Sequence, residues 1–365
     1  MLLTYSAEAQ NVTTWHNDNY RTGWQQNETT LTQSSVSQNS FGKVFQLNVQ
    51  GGVFAQPLAL SAVSGVSSCS GACNVVFIAT EQDMLYAFNA DYIGTQTPSA
   101  LWSLDLAGAV GGSYLDCTAA LPPCAPGVIY PDVGVTGTPV IDVSGGILYV
   151  VSLVYFSADN TMQYYLDAVD YRAGTLKASI EITPTFPGNA PSLQCGTSGS
   201  GSLIFDASQH YQRAGLLLQN VGGPNEVVVA FTPADAFELA NGWLLAYSYA
   251  AAPPALSLAT TFVTTPYGTG GGLWMASAAP ASDGAYIYVS TANGTFDVSG
   301  VPNPSTDYGD SLLKLNPSSL TVADYFTPAD VFTFNNGAGR CSSDDDFGSG
   351  GVMIFPDSFF TGTPI

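Results

Sequence analysis

The sequence predicts an all-β fold of repeated four-stranded antiparallel sheets, and three observations support it. A two-stranded hairpin pattern recurs four times along the 365 residues. No long stretch has the apolar spacing of a helix. Many strands are continuous apolar runs, such as VVFIA (75–79) and ILYVV (147–151), which indicates cover on both faces. Because no helices are predicted, other sheets must bury the two faces of each strand. This is the arrangement of a β-propeller of four-stranded antiparallel blades.

The first unit shows the hairpin pattern most clearly. NVVFIATEQDMLYAFNAD (74–91) reads as two strands rich in valine and aromatic residues around the turn EQD (81–83). GVFAQPLAL (52–60) precedes the hairpin and LWSLDL (101–106) follows it. This order predicts one four-stranded blade.

Three further units repeat the same order of strand, hairpin and strand. A β-sandwich is the alternative, but it leaves one face of each strand in water. The period of roughly 60 to 80 residues exceeds the ~40–50 of compact propeller repeats. The predicted strands are 134–142, 146–154, 162–174 and 175–182 in the second unit, 214–220, 226–231, 242–249 and 256–263 in the third, and 272–280, 285–294, 310–317 and 320–327 in the fourth.

Two segments lie outside the four units. FGKVFQLNV (41–49) has no hairpin of its own, and we expect it as an outermost strand of the last blade. FGSGGVMIFPD (347–357) reads as the inner strand of a further blade. We therefore predict a single propeller domain over 10–365, incomplete at the C-terminus and part of a larger propeller of about seven or eight blades.

The charge balance excludes several classes of partner. The formal net charge is −21, from seven Lys and Arg against 28 Asp and Glu. Nucleic acid needs several cationic contacts to phosphate, and an anionic membrane surface attracts basic segments.

No apolar run reaches 18 residues, so no transmembrane segment is predicted. A chain with few cations gains little positive repulsion when its carboxylates protonate, so we also predict acid tolerance.

Residues 1–9 read as the remnant of a secretory signal peptide. Ala7-Glu8-Ala9 before Gln10 matches the A-x-A pattern of a cleavage site, but nine residues are too few for the basic and apolar regions of a signal. A chance match is the alternative. We expect a periplasmic or extracellular location.

The six cysteines predict disulfide bonds. Two close pairs lie in loops rich in Gly, Ser, Pro and Ala, where a local bridge forms without straining a strand. Free thiols and a zinc site are the alternatives, but the spacings do not make a paired C-x2-C set, and disulfides fit an exported protein. The predicted pairs are Cys69–Cys73, Cys117–Cys124 and, as the two that remain, Cys195–Cys341.

Motifs spread over nearly the whole chain carry a family resemblance. They include TTWHNDNYRTGWQQNETTLT (13–32), NVVFIATEQDMLYAFNAD (74–91), GVTGTPVID (134–142), STANGTFD (290–297) and DDDFGSGG (344–351). The chain resembles the PQQ-like (quinoprotein-type) β-propeller superfamily, in particular large exported bacterial propeller proteins. The generic repeat pattern of A-x-D, Gly and Trp is degenerate here.

The resemblance implies PQQ and Ca²⁺ as possible cofactors. The PQQ-dependent dehydrogenases of the superfamily hold the cofactor on the propeller axis with Ca²⁺, beside a carboxylate base, an aromatic ring and a vicinal Cys-Cys disulfide. This sequence has no adjacent cysteines, and no residues match the calcium ligands or the base. Trp274 is a candidate for the ring, with core packing as the alternative.

Acidic residues at two places are candidate metal ligands. One group lies in DDDFGSGG, where D-x-D-x-G resembles the start of a calcium loop without its downstream Glu. The other lies on or beside one long loop of the fourth blade, near Asn293. Asx turns are the alternative for both groups. The candidates are Asp344 and Asp346 in the first group and Asp297, Asp307 and Asp310 in the second.

The chemistry of the chain favours binding over catalysis. Neither His16 nor His210 lies near a G-x-S-x-G nucleophile motif, so no catalytic triad is predicted. Long insertions concentrate on one propeller face, where binding residues usually lie; tolerated solvent loops are the alternative, because long insertions cost little entropy. We expect a non-catalytic binding or scaffold module for a protein or glycan partner on that face. The alternative is a PQQ- and Ca²⁺-dependent alcohol or sugar dehydrogenase whose catalytic residues lie partly outside this chain.

Overall fold

Strands dominate the structure. The computed structural model describes residues 11–25, 28–29, 31–37, 39, 41–66, 68–69, 71–94, 96–119, 129–189, 201–220, 223–234, 240–276, 278–297, 307–329 and 347–355. In these ranges the chain forms 21 strands, one short helix and two 3-10 turns. The helix is α1 (Leu106–Ala109), and the 3-10 turns are Cys117–Ala119 and Ala207–Gln209.

Blade 1 is a four-stranded antiparallel sheet in chain order. Its strands are β1 (Leu58–Val63), β2 (Cys73–Ala79), β3 (Met84–Asn89) and β4 (Trp102–Asp105). The hairpin predicted over 74–91 is therefore confirmed. Alternate residues of β2 are buried and half-buried, because only one face of this sheet packs on another described blade.

Blade 2 repeats this order and carries an extension. Two strands of the preceding link add to its inner edge: β5 (Ser113–Asp116) pairs with β8 (Ile147–Phe156), and β6 (Asp132–Val133) pairs with β5. The extension lengthens the inner side of the blade where the link enters it. The four blade strands are β7 (Val140–Asp142), β8 (Ile147–Phe156), β9 (Thr161–Asp170) and β10 (Thr175–Glu181).

The longest strands of the described structure, of nine or ten residues, lie in blades 2 and 3. A small hairpin of β11 (Thr185–Pro187) and β12 (Ser202–Ile204) precedes blade 3. The short strand β13 (His210–Tyr211) pairs with the C-terminal end of β15 (Asn225–Pro233). The blade strands are β14 (Leu217–Asn220), β15 (Asn225–Pro233), β16 (Trp243–Ala251) and β17 (Pro254–Val263).

Blade 4 departs from the prediction at its inner strand. The described residues of 272–280 form no strand, in contrast to the prediction, and β18 covers only Ala281–Ser282. Met275 has φ of 31°, and the Ala278 N–H donates to the Met275 carbonyl oxygen at 2.7 Å. The chain therefore turns where an extended strand was expected. The remaining strands are β19 (Ile287–Ser290), β20 (Leu312–Leu315) and β21 (Val322–Phe326).

The sheets pack face to face, and β8 shows this directly. Leu148 and Val150 pack in a cluster with blade 1 residues, whereas Tyr149 and Val151 pack in a cluster with blade 3 residues. Both faces of β8 are thus covered, and its first eight residues are all buried. The same alternation occurs in β15, which faces blades 2 and 4. The apolar runs of β8 and β15 therefore mark strands that lie between two blades, whereas the prediction of cover on both faces is wrong for the run of β2.

Residues 11–21 form a segment that we call the axial strap. It hydrogen-bonds to each of the four inner strands in turn, and such a segment has to lie on the axis side of the blades. The Ile354 N–H also donates to the Tyr20 carbonyl oxygen at 2.9 Å. The strand contacts are Val12 with Ala59, Thr13 with Ile141, Asn19 with Leu218, and Asn19 with Ser282.

The two segments outside the blades do not form strands where the structure describes them. Residues 41–49 are largely exposed and make no strand pairing, in contrast to the expected outermost strand. The Met275 and Ala276 N–H groups donate to the carbonyl oxygens of Gly348 and Ser349, so the segment from 347 lies beside blade 4. The blade total and the domain limits remain predictions.

The disulfide Cys69–Cys73 is confirmed, with an S–S distance of 2.10 Å. Cys117 is disulfide-bonded as well. Cys124, Cys195 and Cys341 lie outside the described residues, so the pairings predicted for them remain predictions. No helix in the described ranges is long and apolar enough to cross a membrane.

Candidate binding face and its buried carboxyl groups

The connections that carry the candidate residues emerge on one side of the blades, which we call the long-loop face. Consecutive strands of an antiparallel sheet alternate in direction. The second-to-third connection of each blade therefore shares a side with the link to the next blade. The connections on this face include 80–83, 106–139, 182–216, 234–242, 264–280 and 291–311.

Three exposed aromatic side chains lie on the segments that lead into inner strands. Phe54 precedes β1 and is 48% exposed, Tyr130 precedes β7 and is 64% exposed, and Tyr267 precedes β18 and is 37% exposed. Since links to inner strands share the long-loop face, these rings stand on the same side of the molecule. Aromatic residues are enriched at protein interfaces and recognition surfaces.

Trp274, the predicted cofactor-binding residue, lies half-buried on the link into blade 4. The Arg213 guanidinium carbon lies 5.4 Å from the centre of its ring, and the Tyr211 ring lies 6.4 Å away. Arg213 lies on the link into blade 3. Its contact with Trp274 therefore connects the links into blades 3 and 4 on the long-loop face. A guanidinium over an indole is a cation–π contact and leaves its remaining donors available to an anionic group.

Glu81 lies buried between blades 1 and 2, on the β2–β3 turn. Its Oε2 accepts hydrogen bonds from the Gly134 N–H at 2.9 Å and from the Thr136 hydroxyl at 3.0 Å. Its Oε1 is buried without a partner. Burial raises the pKa of Glu81 to about 7, although the two hydrogen bonds and the charge of Arg213 oppose the rise.

Two more buried carboxyl groups lie near Glu81. Asp83 follows on the same turn, and both of its oxygens are buried without a hydrogen bond of ordinary geometry, although the Leu153 backbone opposes the rise in its pKa. Burial, with the nearby charges of Glu81 and Asp167, raises its pKa well above the usual range. Asp167 on β9 accepts from the Ser152 hydroxyl at 3.0 Å, and burial raises its pKa to about 6. The junction therefore concentrates titratable groups away from solvent.

From the sequence, EQD (81–83) reads only as a turn, and neither Asp167 nor Arg213 stands out. A signal existed in the pattern: two acids on a two-strand turn otherwise bounded by apolar runs. Whether such a turn faces water depends on the neighbouring blade, which local sequence does not show. The acids are the group that sequence reasoning missed.

Two metal candidates of blade 4, Asp297 and Asp307, accept hydrogen bonds from backbone N–H groups of the loops on the long-loop face. The Asp297 carboxylate accepts from the Asp307 N–H at 2.7 Å, and Asp307 accepts from the Tyr267 N–H at 2.9 Å. Burial and the charge of Asp297 raise the pKa of Asp307 to about 7, against the Tyr267 hydrogen bond. Asp310 is fully buried beside the same connection and has φ of 47°. Asp344 and Asp346 lie outside the described residues.

The described side chains do not form a calcium site by themselves. Calcium takes six to eight oxygen ligands, and no group of three or more His, Cys, Asp or Glu in the described ranges could hold a metal ion. PQQ is a planar ring that carries carboxylates. Two described residues, the Arg213 cation and the Trp274 ring, fit part of such a group. The predictions of Ca²⁺ and PQQ are therefore untested by the structure.

Neither histidine is arranged as a catalytic base. The two His210 ring nitrogens face the carbonyl oxygens of Asp206 at 2.7 Å and Asn241 at 3.0 Å. The exposed His16 ring stacks on Trp15 with centroids 3.5 Å apart. Within the part of the chain that is described, neither ring hydrogen-bonds to a serine or cysteine side chain.

The sheets and their packing define an all-β, propeller-like fold, and a solved structure supports this. The chain is similar to the quinohemoprotein alcohol dehydrogenase ADHIIG of Pseudomonas putida HK5, with a TM-score of 0.50 and 15% identity. The match covers 87% of this chain and 40% of that chain, so this chain spans less than half of that protein. At such identity the likeness shows the fold alone. No family model matches the sequence, and no curated protein matches it significantly.

Proposed function

We propose that the protein is a non-catalytic binding module that engages a protein or glycan partner through its long-loop face. The observation that carries the proposal is the contrast between three exposed aromatic rings on that side and the buried carboxyl cluster beneath it. Phe54, Tyr130 and Tyr267 expose their rings there, whereas the carboxyl groups of Glu81, Asp83 and Asp167 are buried.

The burial of the acids is the argument against catalysis. A general base must come within hydrogen-bond reach of the proton that it removes. Glu81 is 1% exposed and Asp83 and Asp167 are fully buried, so a substrate on the face does not reach them. Exposed rings, in contrast, bury large apolar area on contact with a partner.

An exported location fits this role. The disulfide Cys69–Cys73 is typical of proteins that fold in an oxidising compartment. The low charge content of 10% and the Ser, Thr and Gly of the loops suit an envelope or extracellular partner, either protein or glycan. Periplasmic or extracellular location is part of the proposal.

A PQQ-dependent alcohol or sugar dehydrogenase is the second candidate. Two observations favour it: the fold likeness to an alcohol dehydrogenase that is a quinohemoprotein, and the pairing of Arg213 with Trp274. An arginine and an indole would hold a planar, carboxylated ring by charge and stacking. Catalytic residues would then have to come from outside the described ranges.

Face-specific variants test the proposed function. Co-sedimentation with washed cell-envelope fragments would compare the wild type with the triple variant Phe54→Ser, Tyr130→Ser and Tyr267→Ser. The matched control, Ile93→Ser with Val143→Ser, removes exposed apolar residues from the opposite face. We expect the triple variant to lose about tenfold or more in affinity and the control to bind as wild type. Equal binding by all three proteins would contradict the proposal.

A further inference from the structure

The junction of blades 1 and 2 buries more carboxylate oxygen than its hydrogen bonds satisfy. Glu81 and Asp83 come from the β2–β3 turn, and Asp167 comes from β9. Of their six oxygens, four are buried and make no hydrogen bond of ordinary geometry: Glu81 Oε1, both Asp83 Oδ atoms and Asp167 Oδ1. The Leu153 backbone and the Ser179 hydroxyl are polar groups that lie close to Asp83 and Asp167 and oppose the rise in their pKa values. Burying an ionised carboxylate without partners is strongly unfavourable, whereas a neutral carboxyl group is tolerated.

The same turn clamps the segment that enters blade 2. Glu81 Oε2 holds the Gly134 N–H and the Thr136 hydroxyl, and the Val135 N–H donates to the Thr80 carbonyl oxygen at 3.2 Å. A methyl group on Gly134 would lie 2.6 Å from Asp83 Oδ1, so the segment lies directly against that carboxyl group. The contact that closes the junction and the buried acids are therefore the same feature.

The charges that face this cluster are mostly negative. Asp105 and Asp167 act on Asp83, and Asp132 acts on Glu81. The Arg213 cation acts on Glu81 and lowers its pKa. The neutral phenols of Tyr164 and Tyr165 on β9 lie beside the cluster, and Tyr165 also faces Glu181. Each ionisation in such a setting makes the next one less favourable.

We propose that this junction is a proton-dependent clasp on the long-loop face. With the three carboxyl groups neutral, the turn of blade 1 is closed on residues 134–136. Loss of protons in neutral to mildly alkaline solution places unpaired anions against that segment and opens it. Opening becomes more favourable as the pH rises above about 4, the usual pKa of a solvated carboxyl group, through the raised pKa values of Asp167, at about 6, and Glu81, at about 7.

Hydrogen exchange on the full chain tests the clasp locally. Exchange between pH 5 and pH 8, corrected for the intrinsic rate, would be followed in peptides that cover 80–86, 133–137 and, as an internal reference, 226–231 of β15. We expect protection at 133–137 to fall by about tenfold per pH unit for each proton released on opening. Protection at 226–231 should stay constant.

Two variants and a remote control assign the effect to the cluster. Glu81→Gln keeps an oxygen acceptor for Gly134 and Thr136, and Asp83→Asn keeps the shape of Asp83, so each should reduce the pH slope at 133–137. Asp307→Asn removes a buried acid in blade 4 and should leave that slope unchanged. The clasp is overturned if protection at 133–137 is independent of pH, if it falls equally at 226–231, or if both variants keep the full slope. Restoration of protection at pH 8 by millimolar CaCl₂ would indicate a cation site instead and would also overturn it.

Discussion

Arg21 and Pro280 are joined across 259 residues of sequence, because two guanidinium nitrogens of Arg21 donate to the Pro280 carbonyl oxygen at 2.9 and 2.7 Å. A third nitrogen donates to the Thr14 hydroxyl at 2.7 Å and to the carbonyl oxygens of Trp15 and Asp18. The side chain is 1% exposed. One residue thus holds the axial strap in shape and fastens it to blade 4.

Replacing Arg21 should therefore be costly. Arg21→Met leaves several buried acceptors without donors, and we expect the free energy of unfolding to fall by about 3 kcal/mol. Urea denaturation measures this change. Lys43→Ala is the control, because Lys43 is exposed and surface substitutions usually stay within about 0.5 kcal/mol. Equal stability of the two variants would show that the strap does not stabilise the blades.

Asp307 gives a prediction about pH and stability. Its pKa of about 7 in the folded state lies above the unfolded value of about 3.9. Its contribution is therefore fully present below pH 4 and is lost as the pH rises towards 7. Asp307→Asn keeps an oxygen for the Tyr267 N–H, so it should match the wild type at pH 4 and unfold at a higher temperature at pH 8. A variant that is less stable than the wild type at pH 8 would contradict this.

Gly134 offers a steric test of the contact between blades 1 and 2. A Cβ there would meet Asp83 Oδ1 and the Glu81 carbonyl oxygen, each at 2.6 Å. We expect Gly134→Ala to lower the free energy of unfolding by about 1–3 kcal/mol, the usual cost of overpacking. Gly42→Ala is the matched control, since a Cβ at Gly42 has nothing within 4 Å. Chemical denaturation of the two proteins should separate them clearly, and a neutral Gly134→Ala would disprove the close packing.

The disulfide Cys69–Cys73 should make a modest contribution. It closes a loop with a sequence separation of 4, and the chain-entropy relation gives about 2 kcal/mol for so short a loop. In urea denaturation, the double variant Cys69→Ser with Cys73→Ser should show a free energy of unfolding that is lower by about 2 kcal/mol. A loss much larger than this would mean that the bridge also supports native packing.

The spacing of apolar residues predicted the blade strands, because this spacing depends on which faces of a single strand are buried. The 74–91 hairpin became β2 and β3, and the runs at 147–151 and 227–231 lie between two blades. The run at 75–79 indicated cover on both faces, but β2 alternates between buried and half-buried residues. Whether a blade has neighbours on both sides is not written in its own strands.

The strap and the carboxyl cluster escaped prediction for a related reason. Arg21 reads as a surface residue in a polar stretch, and its burial depends on Pro280, far along the chain. Glu81 and Asp83 read as turn residues, and their burial depends on residues 134–136 of the next blade. The role of Trp274 as a cofactor-binding ring remains a prediction, and its contact with Arg213 is visible only in three dimensions.

Titration of the protein with PQQ and Ca²⁺, coupled to a dye-linked assay of alcohol oxidation, tests the central claim most directly. Our account predicts no saturable uptake of PQQ and no alcohol-dependent reduction of the dye, while binding to envelope fragments is retained. Saturable PQQ binding that is lost in Trp274→Ala, together with dye-linked alcohol oxidation, would contradict the binding-module account and establish a dehydrogenase.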